Sequence, residues 1–180
     1  MNPPTAAILC PGTSLSATSP IGFGADVIVI AVNRASAFFP ADVWAAGDYP
    51  LIEAERAHVR GMPELLTTEG AIEHLRQTDK PWPWRVLPSF ESLDPHCQGA
   101  GGVPQWRVFT AIAACVYAEF IGCKRIEVFG ADWQGEADFD GVKAGGNRSP
   151  ERWRLERNIF ENLLTPWLNA RGVSLFRHHG

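Results

Sequence analysis

Apolar residues in this chain fall into short runs, which are separated by polar stretches or by stretches rich in glycine and proline. The clearest run is DVIVIAVN at 26–33, which is apolar at nearly every position. A run of that kind is typical of a parallel strand that is covered on both faces. Similar runs predict five further strands, at 6–10, 41–48, 85–89, 125–132 and 173–178.

Apolar residues at helical spacing fill the intervals between these strands. They predict a short helix at 14–19, a turn or two at 34–39, and longer helices at 50–59, 68–77 and 104–121. The last predicted helix has Ser149 as N-cap and Pro150 in its first turn, and it ends before Gly172. Strands alternating with helices predict a single α/β, Rossmann-like domain over 1–180, with a mostly parallel sheet and helices on both faces.

Two long segments do not fit this alternation. The first, 78–104, is rich in proline and glycine, and the second, 133–148, is polar and glycine-rich. Loops of such length inside a compact domain are usually functional lids or mobile segments. Both segments therefore mark regions where a ligand could be enclosed.

The first predicted strand breaks off into a turn that contains Gly12, Thr13 and Ser14. In open parallel sheets, ligands bind at the carboxyl ends of the strands. Gly12 would let the backbone pass close to a ligand, while the hydroxyls and amides of Thr13 and Ser14 would face an anion. The alternative is a plain bend in which Ser14 caps a helix. The turn matches neither the GxGxxG fingerprint nor a Walker loop, which disfavours an ordinary NAD-binding or ATPase site.

Three further strand ends carry polar side chains: Asn33, Asp48 and Asp132. Asn33 can hydrogen-bond a base or a ribose, or it can stabilise its own turn. Asp48 and Asp132 can bind ribose hydroxyls, hold Mg²⁺, or act as a catalytic base, and the alternative for each is a helix cap or a surface ion pair. We take the two carboxylates as candidate catalytic and metal-binding residues.

The two long segments supply further candidates. Several tryptophans cluster around them, and one or two can stack on a planar ring while the others pack at the edge of the core; these are Trp82, Trp84, Trp106 and Trp133. Arg148 lies among several basic residues just before the helix start at Ser149. Because helix N-termini attract anions, Arg148 is predicted to belong to a lid over a phosphate-bearing ligand, or else to a solvated loop.

Composition narrows the classes of partner. The 180 residues carry a net charge of −4, and the basic residues form no block, so no footprint for duplex nucleic acid is predicted. The N-terminus lacks a secretory signal, and no apolar run approaches the ~20 residues of a membrane span. The four cysteines form no CxxC pair, which predicts buried, reduced thiols in a cytoplasmic protein.

Several segments together resemble a known family in their order and spacing. The family is the bacterial sialyltransferases of glycosyltransferase family 42, with the related motility-associated factor proteins, phage-encoded relatives and an archaeal hydroxymethylpterin diphosphokinase-like branch. The matching segments are CPGTSLS (10–16), IAVNRA (30–35), ADVWAAGD (41–48), AIAACVYAEFIGCKRIEVFGADW (111–133) and RWRLERNIFENLLTPWLNARGVSLF (152–176).

That resemblance implies a site for a nucleotide-activated donor. The first turn and Asn33 would hold the nucleotide, and residues 101–105, with Gly102 and Gln105, would lie near the transferred group. The sialyltransferases also carry a histidine after the strand that ends here at Asp132, whereas this chain has no histidine between Trp133 and Phe176.

Three functions follow as expectations. The first is a transferase that binds a nucleotide or nucleotide sugar, which the two strand-end carboxylates favour. The second is a non-catalytic module that binds or sequesters a nucleotide, of phage origin, which the missing histidine favours. The third is phosphoryl transfer of the diphosphokinase type.

Overall fold

The structure is a computed structural model that describes residues 4–15, 23–78, 85–98, 106, 109–134 and 149–178. Part of what the sequence predicts lies outside these ranges. This applies to 79–84 and 99–104 of the first long segment, to nearly all of the second, and to most of the helix at 14–19. The candidate residues outside the described ranges are Trp82, Trp84, Gly102, Gln105 and Arg148.

Six parallel strands form one sheet. In chain order they are β1 (Thr5–Leu9), β2 (Val27–Val32), β3 (Val43–Ala45), β4 (Glu64–Leu66), β5 (Arg125–Phe129) and β6 (Ser174–Arg177). Across the sheet the order is β4-β3-β2-β1-β5-β6, and every neighbouring pair is parallel. Together with its helices, this sheet confirms the predicted α/β, Rossmann-like architecture.

The fourth strand is the one that the sequence analysis placed wrongly. Residues 85–89 were expected to form it, but β4 is the short segment Glu64–Leu66. Val86 only adds an isolated parallel bridge to Leu65 at the sheet edge, where Leu65 N donates to Arg85 O at 2.8 Å and Leu87 N donates to Leu65 O at 2.8 Å. Three residues are too few to produce a readable period of two, which explains the error.

Helices cover both faces of the sheet. They are α1 (Tyr49–Glu55), α2 (Glu69–Gln77), α3 (Asp94–Gln98), α4 (Thr110–Phe120), α5 (Pro150–Ile159) and α6 (Thr165–Ala170). Alternate strand residues separate the two cores: Ile8 and Ile30 belong to the core that contains α4, whereas Leu9 and Ala31 face the opposite side. On that opposite side, β3 and β4 pack against α1 and α2.

The central helix α4 is shorter than predicted. The expected start was near 104, but Phe109 is extended, with φ −122° and ψ 102°, and the helix begins at Thr110. All eight residues from Ala111 to Ala118 are buried. A helix that is apolar on every side belongs inside the protein, and α4 therefore provides much of the core beneath β1, β2 and β3.

The last helical segment is not uniform, although the sequence predicts one continuous helix. A wide π-helical turn, Phe160–Leu164, joins α5 to α6. The Thr165 hydroxyl donates to Phe160 O at 2.8 Å, and its backbone N–H points to the same carbonyl. A wide turn at this point precedes Pro166, which has no N–H to continue an α-helical ladder.

At the amino ends of the strands, three charged or polar side chains form what we call the amino-edge cluster: His96, Glu119 and Arg171. Glu119 contacts His96 Nε2 with one oxygen and Arg171 Nε, at 3.7 Å, with the other. Arg171 also donates to His96 O at 3.3 Å and lies 4.1 Å from the Trp167 ring centroid. Each member of the cluster therefore has partners.

Two further sequence expectations concern thiols and membranes. All four cysteines are free and buried, as predicted. No helix in the described ranges has the length and apolar character that crossing a membrane requires.

Candidate functional site

The order of the strands locates the crevice of this sheet. The chain winds outward from β1 through β2, β3 and β4, and then returns to the other side of β1 with β5. Ligands of doubly wound sheets bind at such a switch point, outside the carboxyl ends of the strands. Here the switch point is flanked by the first turn, residues 10–15, and by residues 130–134 after β5. We call this region the carboxyl edge.

Asp132 lies at the carboxyl edge and holds the first turn. Its Oδ2 accepts a hydrogen bond from Ser14 N at 2.7 Å and another from Thr13 Oγ1 at 3.0 Å, while Oδ1 accepts from Ser14 Oγ. The hydroxyls and the amide of the first turn thus donate to an anion, as their residue types predict. That anion is the carboxylate of Asp132, a residue of the same chain. The structure therefore brings Thr13, Ser14 and Asp132 together, and their contact with a ligand stays a prediction.

Gly12 is required by the fold itself. Its N–H donates to Gly130 O at 3.0 Å, and a Cβ on Gly12 would lie 2.2 Å from that oxygen. Gly130 has φ +71°, and a Cβ there would lie 2.1 Å from Cys10 O. The two backbones that border the switch point cross at these glycines. The sequence analysis explained Gly12 by space for a ligand, whereas this crossing is a sufficient reason for the glycine.

Two residues other than glycine have positive φ in the described part of the chain, and both follow strands at the carboxyl edge. They are Asn33, with φ +50°, after β2, and Trp133, with φ +49°, after β5. Backbone strain of this kind costs about 1–3 kcal/mol and clusters at functional sites. Both residues were already candidates from the sequence.

Asn33 follows β2 at the carboxyl edge. Its carbonyl accepts from Trp44 Nε1 at 2.8 Å and from Ser36 Oγ at 3.0 Å, which fixes the backbone. Its side-chain amide is partly exposed and makes no hydrogen bond to any described residue. The amide therefore does not stabilise its own turn, which was the alternative.

The structure does not bring Asp48 to the same place. Asp48 is exposed at the start of α1, and its side chain accepts no capping hydrogen bond there. It follows β3, and β2 and β1 lie between β3 and β5. Three strand spacings of about 4.8 Å, about 14 Å in all, separate the end of β3 from the end of β5. Among the described residues, no group of three carboxylate, histidine or cysteine side chains could hold a metal, and a Mg²⁺ shared by Asp48 and Asp132 stays a prediction.

Trp133 packs between an aromatic ring and a guanidinium group. Its ring meets Phe160 edge to face at 5.0 Å, and the guanidinium of Arg177 lies 4.2 Å from its centroid. Its indole N–H hydrogen-bonds the carboxylate of Glu156. These three contacts hold the left-handed conformation of Trp133 in place.

Glu156 is a site residue that the sequence analysis missed. Burial raises its pKa to about 7, while Arg152 and the hydrogen bond from Trp133 act in the opposite direction. Burial also raises the pKa of the Cys10 thiol, and the charges of Glu156 and Asp132 add to that shift, which places both carboxylates near the end of β1. The sequence does contain a signal for the burial of Glu156, because this residue lies on the apolar helix face that contains Trp153 and Phe160.

Arg177 was missed as well. It ends β6, where its Nε is buried and has no hydrogen-bond partner in the structure described. Burial lowers its pKa, and the charge of Asp132 raises it. No sequence pattern distinguishes this arginine from the others, because its environment depends on the pairing of β5 with β6.

An open groove of 930 Å³ lies elsewhere, between α2 and residues 86–92 at the β4 side of the sheet. Its polar lining is internally paired: Ser89 Oγ donates to Glu69 Oε1 at 3.3 Å and lies 2.8 Å from Ser92 Oγ. We therefore take the carboxyl edge as the candidate site.

Comparison with known proteins gives no family for this chain. No protein-family model, curated protein or solved structure matches it. The resemblance described for the sequence thus rests on its own motifs.

Proposed function

We propose that this protein binds a nucleotide or a nucleotide-activated donor at the carboxyl edge and transfers the group that the donor carries. The observation that supports this most is the order of the strands. β2, β1 and β5 are neighbours, so that Asn33, the first turn and Asp132 follow one another along the switch point within about 10 Å.

Each of these residues has a role that its chemistry fits. The Asn33 amide, which has no partner among the described residues, presents both a donor and an acceptor to a base or a ribose. A carboxylate offers about four lone-pair positions, of which Asp132 uses three for Thr13 and Ser14. The fourth remains for a ribose hydroxyl. Binding therefore does not require the first turn to open.

A thermal-shift screen tests the binding step. The probes are nucleosides, nucleoside mono- and diphosphates, CMP-sugars and UDP-sugars, each with and without Mg²⁺. A ligand at 100 times its dissociation constant raises the free energy of unfolding by about 2.7 kcal/mol, which such a screen detects. If no nucleotide shifts the unfolding transition, the proposal fails.

The variant Asn33→Ala tests the position of the site, with Asn169→Ala as the control. Asn169 is an exposed residue of α6, near the amino ends of the strands. Loss of one hydrogen bond costs about 0.5–1.5 kcal/mol, so Asn33→Ala should weaken binding about 2- to 10-fold. The control should bind as the wild type does.

A non-catalytic nucleotide-binding module is the second candidate. The separation of Asp48 from Asp132 favours it, because it leaves no pair of strand-end carboxylates to share acid and base roles. Release of the free nucleotide from a bound nucleotide sugar, followed by chromatography, distinguishes the two. Turnover supports the transferase, and binding without turnover supports the module.

A further inference from the structure

Arg177 differs from most of the arginines in its charge environment. Arg60 also forms no ion pair with a described residue, but it is exposed and its Nε donates to Ala37 O at 3.0 Å. Eight arginines of the described ranges lie within 3.9 Å of a carboxylate oxygen; they are Arg34, Arg56, Arg76, Arg85, Arg125, Arg154, Arg157 and Arg171. Arg177 forms no ion pair with any described residue, although it is only partly exposed and its Nε is buried. A partly buried cation that forms no ion pair is costly, so its presence calls for an explanation.

Nearby carboxylates act on Arg177 only at a distance, because each directs its hydrogen bonds to other donors. Asp132 holds the first turn through both of its oxygens, and Glu156 accepts from the Trp133 indole. Glu161, whose charge also reaches Arg177, pairs with Arg157 at 2.9 Å. The carboxylates near the Arg177 guanidinium thus accept their hydrogen bonds from other residues and none from Arg177.

Trp133 holds the guanidinium in a defined orientation. The guanidinium carbon lies 4.2 Å from the ring centroid, which is a cation–π distance. A guanidinium stacked on a ring keeps its N–H groups in its own plane, where they can donate to an oxyanion in a bidentate manner. Phe160 and Glu156 fix the ring in turn. The donor is therefore oriented before any ligand arrives.

The position of Arg177 in the sheet indicates which part of a ligand it could contact. Arg177 ends β6, the strand beside β5, and the charge of Asp132 acts on it. It lies at the side of the carboxyl edge opposite to Asn33, beyond the first turn. A ligand whose base or ribose contacts Asn33 would extend toward Arg177 with its distal part.

From these observations we propose that Arg177, stacked on Trp133, binds an oxyanion of the ligand distal to the nucleoside. That oxyanion is either the second phosphate of a nucleoside diphosphate or a carboxylate on the transferred group. This inference rests on the proposed function, which it extends by assigning the anionic end of the ligand to β6 and Trp133.

Binding measurements on Arg177→Met test the inference, with Arg76→Met as the matched control on the exposed face of α2. The probes are cytidine, CMP, CDP and CMP-sialic acid, together with the corresponding uridine, UMP and UDP. We expect Arg177→Met to weaken binding of the oxyanion-bearing probe at least 10-fold and binding of the bare nucleoside less than 2-fold. Loss confined to CDP or UDP identifies a phosphate, and loss confined to CMP-sialic acid identifies a carboxylate.

Two measurements separate failure of this inference from failure of the proposed function. Inorganic pyrophosphate, tested alone, should raise the unfolding temperature of the wild type and not that of Arg177→Met, whether or not a nucleotide binds. Arg177→Lys keeps the charge without the planar fork, so it should recover less than half of the lost affinity. Equal losses for nucleoside and diphosphate, or unchanged binding of every probe by a folded Arg177→Met, overturn the inference. So does a wild type that binds neither nucleotides nor pyrophosphate.

Discussion

The charged side chains at the two edges of the parallel sheet differ in how they are paired. At the amino edge, Glu119 contacts both His96 and Arg171, and Arg171 in turn donates to a carbonyl and stacks on Trp167. At the carboxyl edge, Glu156 is desolvated to the point where its pKa is about 7, and Arg177 has a buried donor without an acceptor. The amino edge pairs its ionisable side chains with one another, whereas the carboxyl edge leaves Arg177 without an ion pair among the described residues.

The backbone follows the same division. The glycines with positive φ at the amino edge, Gly122 and Gly172, end helices in open space, where a Cβ would meet nothing within 4 Å. Gly130 at the carboxyl edge stands against a carbonyl, and Trp133 adopts positive φ despite its bulk. Folds tolerate such local costs where a site needs them. The comparison therefore supports the proposal that a ligand binds at the carboxyl edge.

The largest effect is expected from Gly130→Ala compared with Gly172→Ala. Both glycines are left-handed, but only Gly130 has a backbone oxygen 2.1 Å from its virtual Cβ. We expect Gly172→Ala to lower the free energy of unfolding by about 1–2 kcal/mol, and Gly130→Ala by at least about 3 kcal/mol. Urea denaturation of both variants measures the difference. Equal losses would contradict the crossing of the two backbones at the switch point.

Removal of a paired carboxylate at the amino edge should come next. Glu119→Ala leaves Arg171 and His96 without their shared acceptor in a nearly buried position, with 9% of the Glu119 side chain exposed. We expect a loss of about 3 kcal/mol. The control is Glu161→Ala, which breaks the exposed pair with Arg157 and should cost less than about 1 kcal/mol. Similar losses would show that the amino-edge cluster contributes no more than a surface pair.

The pH dependence of stability tests Glu156. Its pKa is raised from 4.5 to about 7, so the folded state binds an extra proton between these values and loses stability as the pH rises through them. We expect Glu156→Gln to be more stable than the wild type by about 1–3 kcal/mol above pH 7, and equally stable near pH 4.5. Chemical denaturation over this range provides the difference curve. In the control Glu151→Gln the sign should be reversed, because backbone hydrogen bonding at the start of α5 lowers the pKa of the Glu151 carboxyl. A flat difference curve for Glu156→Gln would contradict the desolvation of Glu156.

The smallest effect on stability is expected from Arg177→Met. Because Arg177 has no ion pair among the described residues, the variant loses only the contact with Trp133 and gains relief from desolvation. We expect a change within about 1 kcal/mol of the wild type, of either sign. A loss above about 3 kcal/mol would mean that Arg177 is a structural residue, and the carboxyl edge would then resemble the amino edge.

Sequence patterns predicted the central sheet well because its strands are long and apolar. The runs at 26–33 and 125–132 became β2 and β5. β2 has buried residues on both faces, whereas β5 buries only Ile126 and Val128, on the face that packs against α4. The method failed where an element was too short to carry a period, as at β4, and where a wide turn replaced α-helix, as at Phe160–Leu164. In both places the backbone conformation depends on tertiary packing, and the spacing of apolar residues along the sequence does not reveal it.

The candidate site was predicted in part. Thr13, Ser14, Asn33 and Asp132 follow predicted strands, so their shared edge could be inferred from parallel topology alone. Arg177 and Glu156 could not be found in this way, because they reach the site only through the pairing of β6 with β5 and through the position of α5. For Asp48, the sequence does not say how many strands separate it from Asp132, so a shared role for the two carboxylates stays a prediction.

The pairing of β1 with β5 also has a consequence for how the protein is made. Thr5 pairs with Arg125, which the ribosome adds 120 positions later. At about 5–20 residues per second, β1 waits roughly 6–24 s for that partner. During this time β2, β3 and β4 can assemble on one side, while the other side of β1 keeps its N–H and C=O groups unpaired. A nascent chain that stalls before residue 125 exposes that side, which makes it a substrate for chaperones.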